Sequence, residues 1–335
     1  MIYENIVHRV QNEYEELRNQ NLLNYEVKVQ QISEKYPELG ILISKRHQAL
    51  LSGIRSSITP NKQTNINENL PNLLKSYTEQ IKKELIKNNL DENTLEPQYH
   101  CKICNDEGYL YSPHSTMCSC FKEKLHKYML ESIGLGNNKE TFENFNPDLF
   151  SNDIVSKSTV TITQKQLAIH RKNICEAYAD NFPNTEQRDL LLYGNSGLGK
   201  TYLLHAIAHR VIERGILPYY TTAYAFFSLA RKAYMENNDK YLAPLFETDL
   251  LLLDDLGTEP LMQNITIPQL FTLINERTLS NKHTIISTNL NFNEFKERYT
   301  ERISSRMLDK STVQKLLFLG EDIRKNIRAT KEITQ

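Results

Sequence analysis

Apolar residues near the start of the chain recur at helical spacing: Ile2, Ile6 and Val10 fall one turn apart, and Ile41, Ile43, Leu50 and Leu51 carry the pattern to about Ser57. Pro37 is well placed to open a helix, because its fixed φ and missing N–H do no harm in a first turn. The polar run Ile58-Thr59-Pro60-Asn61-Lys62-Gln63-Thr64-Asn65 predicts a loop, and Leu70 to Asn89 returns to helical periodicity. Residues 1–96 are therefore expected to form a small helical domain. Residues 97–122 hold a cysteine cluster. Residues 123–158 read as a linker, with Gly134 to Pro147 punctuated by Phe142, Phe145 and Phe150.

From about residue 159 to 335 the pattern changes. Short apolar runs alternate with helical stretches: Leu190-Leu191-Leu192-Tyr193, Pro218-Tyr219-Tyr220-Thr221, Leu250-Leu251-Leu252-Leu253, Thr284-Ile285-Ile286-Ser287 and Lys315-Leu316-Leu317-Phe318. Strands this short and this apolar are buried on both faces, which implies an α/β fold with a parallel sheet flanked by helices.

Composition narrows the function classes. With 39% hydrophobic and 24% charged residues, the chain of 335 residues falls in the soluble globular range and is longer than one typical domain needs. No apolar run approaches the roughly 18 residues that span a bilayer, and the first residues carry Glu4 and no apolar signal core, so a cytoplasmic protein without a membrane is expected. A formal net charge of −1 excludes whole-surface attraction to nucleic acid and leaves room only for a local basic patch.

The strongest chemical signal is Gly194-Asn195-Ser196-Gly197-Leu198-Gly199-Lys200-Thr201, followed by Tyr202. A loop that wraps a phosphate chain needs glycines, because its N–H groups converge where a Cβ would obstruct or strain the backbone. Lys200 would reach the β- and γ-phosphates of ATP, and the Thr201 hydroxyl would sit on Mg²⁺. The run follows a predicted strand and opens the predicted helix Thr201–Arg214, as that role requires. Downstream, Leu250–Leu253 ends in Asp254-Asp255, two carboxylates at the strand edge where α/β sheets bind ligands. Asp254 would hold Mg²⁺, while Asp255 would orient or deprotonate the attacking water.

Gly194–Thr201, Leu250–Asp255, Ser287-Thr288-Asn289 and Glu301-Arg302-Ile303-Ser304-Ser305-Arg306 together resemble the Walker A, Walker B, sensor 1 and arginine-finger motifs of P-loop AAA+ ATPases. Within that class the chain resembles the DnaC/DnaI-type loaders of the bacterial replicative helicase and their relatives, the IstB-type transposition ATPases. The resemblance implies that Asn289 senses the γ-phosphate. It also implies that Arg306, assisted by Arg302, is presented to a neighbouring subunit's ATP, and hence that the chain self-associates through its ATPase domain. Fewer than 20 residues follow Phe318, which leaves Arg324 as the one candidate for a sensor 2 arginine.

Cys101-x-x-Cys104, thirteen residues, then Cys118-x-Cys120 supplies four soft thiolates in two close pairs, the set that tetrahedral Zn²⁺ takes. His100 and His114 are alternative fourth ligands, and a redox Cys-x-x-Cys pair is the competing reading. The segment resembles the zinc module carried by many of these loaders. Cys175 reads as a small core residue.

The loader resemblance implies ATP-dependent delivery of a hexameric replicative helicase to single-stranded DNA. Phe226-Phe227-Ser228-Leu229-Ala230-Arg231-Lys232-Ala233-Tyr234 is a candidate DNA-binding surface or an amphipathic helix packing its aromatics inward. Two alternatives stand beside the loader: an IstB-type ATPase regulating a DNA transposase, and a nucleotide-binding adaptor that does not hydrolyse. Intact Lys200, Asp254, Asp255 and Arg306 argue against the adaptor. The cysteine module and the helical extension argue against the transposition protein. Acidic and basic residues nearly balance between Met1 and Pro97, so residues 1–96, rich in apolar helical stripes, are expected to dock the helicase rather than bind phosphates.

Overall fold

The computed structural model of the protein describes residues 2–58, 70–111, 116–157 and 161–324. It separates into two compact units, Met1–Lys124 and Leu125–Gln335. Most of the loop expected over residues 58–65, and His114, lie outside the described residues.

In the first unit three helices follow one another: α1 (Ile2–Lys35), α2 (Pro37–Ile58) and α3 (Leu70–Lys87). Pro37 is the first residue of α2, the position where its ring costs nothing. Leu39, Ile81 and Leu85 form a small core with Ile32, Tyr36, Leu42, Ile43, Leu90 and Leu95 around it. Outside that core Leu22, Leu23, Val27, Ile41, Ile54 and Ile86 remain exposed.

A short antiparallel hairpin, β1 (Tyr109–Leu110) and β2 (Thr116–Met117), precedes α4 (Ser119–Ser132). One stripe of α1 faces this segment. Gln11 Nε2 donates to the Tyr109 hydroxyl at 3.3 Å, the Tyr14 ring lies 5.4 Å from that of Phe121, and Asn21 Nδ2 donates to Asp106 Oδ2 at 2.8 Å. Positions 11, 14, 18 and 21 share one face of a helix, and Arg18 meets Glu107 at 3.9 Å from the third of them. The cysteine segment and the first helix therefore form one body within this unit.

The second unit begins its regular structure with the antiparallel pair β3 (Ile154–Lys157) and β4 (Thr161–Thr163), followed by α5 (Gln164–Asn181). Thr163 and Gln166 close a capping box at the start of α5, each side chain satisfying the other's backbone N–H. The remaining elements alternate: β5 (Asp189–Gly194), α6 (Lys200–Glu213), β6 (Tyr219–Thr222), α7 (Ala223–Glu236), α8 (Ala243–Glu247), β7 (Leu250–Leu256), α9 (Thr266–Leu279), β8 (His283–Thr288), α10 (Phe292–Met307) and β9 (Val313–Phe318). All strand pairs in the resulting five-stranded sheet are parallel, in the order β6-β7-β8-β5-β9. The chain leaves β5 for the far edge at β6, so the carboxyl end of β5 beside β8 is a switch point where such sheets bind ligands.

Leu250 to Leu253 are all buried, as expected for a central strand covered on both faces. Phe226 and Phe227 are buried too, in the core that α7 shares with α9 and the sheet. Of the two readings of that segment, the inward-packing helix holds for these aromatics. Tyr224, Arg231, Lys232, Tyr234 and Met235 are left on its exposed side. Arg277 is fully buried and spends its donors on Thr284 Oγ1 (2.9 Å), Leu245 O (2.6 Å), Thr248 O (2.9 Å) and His283 O (2.5 Å), pinning the entries of two strands.

Candidate active site

Glycine is required at two points of the loop between β5 and α6. Gly194 has φ +135°, and a Cβ there would stand 2.1 Å from the carbonyl oxygen of Phe318 on the adjacent strand. Gly199 has φ +86° and is the residue before α6, with no side chain capping the helix. The first-turn N–H groups of α6 consequently face the loop unclaimed by a cap, and they carry the positive end of the helix dipole.

Lys200 is nearly buried, and its ammonium donates to Gly194 O (2.7 Å), Asn195 O (2.7 Å) and Asn289 Oδ1 (2.8 Å). Burial pulls its pKa down to about 8, against the opposing pull of Asp255 and Asp254. Asp254 is the hub of the opposite wall. Its Oδ1 accepts from the Thr201 hydroxyl at 3.2 Å and from the Ser287 hydroxyl, and its Oδ2 accepts from the Tyr220 hydroxyl at 3.1 Å.

Asp255 sits where the register of β7 against β8 slips between Leu253 and Leu256. Its φ is +58°. An extra residue in one strand re-aims the side chains around it, and here Asp255 faces the cleft while Asp254 stays buried against Thr201, Ser287 and Tyr220. Asn289 Nδ2 donates to Asp255 Oδ1 at 3.3 Å. Burial first, then the charge of Asp254, holds the Asp255 carboxyl above the usual range.

The cleft so formed has a volume of about 420 Å³ and is lined by Ser196 to Tyr202, Asp255, Asn289, Glu140, Leu149, Ile323 and Arg324. Arg324 Nη2 donates to Ser196 Oγ at 2.7 Å, and the N–H of Ile323 donates to Gly197 O at 3.0 Å. Arg302 and Arg306 are not in this cleft. The Arg306 guanidinium lies 4.8 Å over the Phe271 ring, and the residue lines a small cavity with Asp189 at the amino end of β5.

Five contributors escaped the sequence reading: Tyr220, Ser287, Glu140, Leu149 and Ile323. Tyr220 and Ser287 lie in predicted strands, where no pattern told which face would meet Asp254. Glu140 and Leu149 come from the segment read as a linker. Glu140 pairs with His205 of α6, which holds its carboxyl below the usual range.

In the other unit the sulfurs of Cys101, Cys104, Cys118 and Cys120 lie within 4.8 Å of one another, with Cys101 to Cys118 at 3.9 Å and Cys104 to Cys120 at 3.5 Å. A Zn²⁺ with bonds of about 2.3 Å sets sulfurs about 3.8 Å apart in a tetrahedron, so the four fit it. His100 is not in the cluster. Its backbone N–H and that of Cys101 donate to the buried Asp106 carboxylate at 2.9 and 2.7 Å, fixing the turn that carries the first cysteine pair. Cys175 is fully buried on α5, where desolvation pushes its thiol up to about 12.

Residues 163–329 match the family described as IstB-like ATP binding protein. Over 116 residues, 34% of this chain and 46% of the relative, the sequence is 32% identical to the uncharacterized protein YdaV of Escherichia coli (strain K12). It is 33% identical over 117 residues, 34% of this chain and 24% of the relative, to the chromosomal replication initiator protein DnaA of Chloroflexus aggregans. The chain thus spans less than half the length of these curated relatives. Among solved structures, the DnaC helicase loader aligns with a TM-score of 0.42 and 22% identity over 53% of this chain and 98% of that one. DnaI aligns with a TM-score of 0.38 and 19% identity over 54% of this chain and 95% of that one.

The depressed pKa of Lys200 has a measurable consequence in the nucleotide-free protein. Its folded value of about 8 lies below the ordinary 10.5, so between those pH values the unfolded chain binds the extra proton. Stability from this group therefore rises with pH across that window. Denaturant titrations of wild type and Lys200→Met at pH 7.5 and 10 check it: the wild type gains relative to the variant at the higher pH, and a constant difference would refute the buried ammonium.

Proposed function

From the match of residues 163–329 to the IstB-like ATP binding protein family we propose that the protein is a Mg²⁺-dependent ATPase that loads the hexameric replicative DNA helicase onto single-stranded DNA in the cytoplasm. The observation that carries the ATPase half is the cleft that brings Lys200, Thr201, Asp255 and Asn289 together, with the buried Asp254 hydrogen-bonded to Thr201. The loop from Gly194 to Thr201 and the first turn of α6 would hold the phosphates, with Lys200 turning from the loop carbonyls to the β- and γ-oxygens. Thr201 and Asp254, already hydrogen-bonded to each other, would hold Mg²⁺, which when bound neutralises phosphate charge. Asp255 and Asn289 face the same space and would orient the water that attacks the γ-phosphorus. Arg324 would add a cation at the phosphate loop in the manner of a sensor 2 arginine. Arg306 would act on the nucleotide of a neighbouring subunit, which fits its distance from its own chain's cleft.

The helicase half rests on the motif resemblance and on the first unit. Its Leu22, Leu23, Val27, Ile41, Ile54 and Ile86 stay exposed outside its small core, and a partner's helices would cover them. Zn²⁺ bound by Cys101, Cys104, Cys118 and Cys120 would be structural, because four protein ligands leave no open position. Through Asp106 and Asn21 the metal would also steady α1. Single-stranded DNA would meet the exposed side of α7 at Tyr224, Arg231, Lys232 and Tyr234. Regulation of a transposase is the second reading, favoured by the family match alone.

Three measurements test these assignments. Lys200→Ala is expected to lose nucleotide binding by at least about a hundredfold, whereas Asp255→Asn keeps affinity and loses turnover, as fluorescent-nucleotide titration and phosphate release would report. Unchanged affinity in Lys200→Ala sinks the assignment. Elemental analysis should find about one Zn²⁺ per chain, lost in Cys101→Ser/Cys104→Ser along with hydrogen-exchange protection of α1. Protein without metal and with every thiol titrating freely contradicts the zinc site. Removal of residues 1–124 should leave nucleotide binding intact and abolish co-elution with the replicative helicase, and persistent co-elution moves the docking surface to the ATPase unit.

A further inference from the structure

We propose that Glu259 is a positioning residue for ATP hydrolysis, a buried clamp that ties the acidic end of β7 to the arginine-bearing turn of α10. The inference deepens the ATPase reading and rests on it, in particular on Arg306 acting across a subunit boundary.

Glu259 is almost completely buried, where a carboxylate survives only if it is densely hydrogen-bonded. Its partners come from both sides of the connection. The N–H of Gly257 donates to Oε2 at 2.8 Å. The Tyr299 hydroxyl donates to Oε1, Arg298 reaches the same oxygen from Nη2 at 3.3 Å and Nε at 3.4 Å, and Arg298 Nη2 also donates to the backbone carbonyl of Glu259. If stability alone were served, apolar residues of similar volume would do as well as this buried ionic set.

Its position explains the cost. On one side the loop starts at Asp255: the Thr258 hydroxyl donates to Asp255 O at 2.9 Å, and Gly257 follows with φ +110°. Asp255 itself lies in the left-handed region at φ +58°, so the backbone that aims its carboxylate is continuous with the loop that Glu259 closes. On the other side, Arg298 and Tyr299 immediately precede Thr300, whose φ of +71° and ψ of 156° fall in a region that is essentially glycine's own. That residue breaks α10 in two and sets a new direction for the turns carrying Arg302 and Arg306. A side chain there is strained, and such strain persists only where its surroundings over-determine the backbone. Glu259 supplies that constraint by holding the two residues before the break. The Ser304 hydroxyl, donating to Thr300 O at 2.8 Å, holds the turn after it. A single carboxylate thereby fixes the water-facing acid of one site and the direction of the arginines offered to the next.

The test is a double-mutant cycle on the full chain in its assembled, nucleotide-bound state. Glu259→Gln keeps the shape of the side chain, leaves one acceptor oxygen where there were two, and removes the charge that holds Arg298. It is combined with Arg306→Ala while turnover, affinity for a fluorescent non-hydrolysable ATP analogue and Tm are read. Glu259→Gln is expected to lower kcat about tenfold with affinity within about twofold, and to cost clearly less than that once Arg306 is alanine, the remainder coming from the Asp255 end of the clamp. Unchanged turnover in Glu259→Gln, an undiminished tenfold loss in the Arg306→Ala background, or affinity falling in parallel with kcat overturns the clamp and leaves the finger reading standing. Should Arg306→Ala alone leave assembled turnover unchanged, the finger reading fails and the clamp fails with it. If Glu259→Gln does not fold, Tyr299→Phe interrogates the same clamp from α10 by the same criteria: a loss of kcat that is clearly smaller in the Arg306→Ala background supports it, and an additive loss overturns it.

Discussion

Asp254 is buried, and a carboxylate taken out of water needs hydrogen-bond donors around it. Meeting that requirement organises the centre of the second unit. The donors come from Thr201 on α6, Ser287 on β8 and Tyr220 on β6, while Asp254 itself belongs to β7. Satisfying one charge therefore fixes three neighbouring strands and the helix of the phosphate loop against one another. The N–H of Asp255 joins the same set, donating to Asp254 Oδ1 at 3.1 Å and to Ser287 Oγ at 2.9 Å. That bond closes the bulge that turns Asp255 toward the cleft.

The legibility of this arrangement followed the kind of signal each part carries. The five strands of the parallel sheet were visible because buried strands need unbroken apolar runs, and Leu250–Leu253 can be little else. The turn between β5 and α6 was visible because glycines at Gly194 and Gly199 answer to backbone geometry that other residues do not tolerate. Tyr220 and Ser287 were not, since a hydroxyl in a strand looks the same whether it meets a carboxylate, a backbone carbonyl or water. Glu140 was hidden because it acts from a stretch without periodicity. The packing of α1 on the cysteine segment was invisible for a related reason: its contact stripe, Gln11, Tyr14, Arg18 and Asn21, is polar and aromatic, so hydrophobic periodicity cannot report it.

Arg277 and Glu259 show a common principle at opposite ends of the sheet. Each is a buried charge whose partners lie on elements distant in sequence, and each is placed where a chain segment enters or leaves a central strand. Arg277 binds backbone carbonyls near the starts of β7 and β8. Glu259 binds the loop after β7 and the middle of α10. Apolar packing is tolerant of small slides, whereas a satisfied buried charge has one geometry. Fixed strand ends matter most where side chains from three strands and a helix must meet within hydrogen-bonding distance.

The electrostatics of the cleft point to the ligand it takes. Lys200 is held below its ordinary pKa by burial, and Asp255 is held above its own by burial and by Asp254. Both shifts say that charge in this space is poorly compensated by the protein alone. A phosphate chain against Lys200 and the first turn of α6 would relieve the cation and worsen the acids. A divalent ion at Thr201 and Asp254 would relieve the acids and worsen the cation. Only the two together would compensate both walls, so under the proposed function anion and metal would each be bound more tightly in the presence of the other, a coupling that needs no movement of the fold.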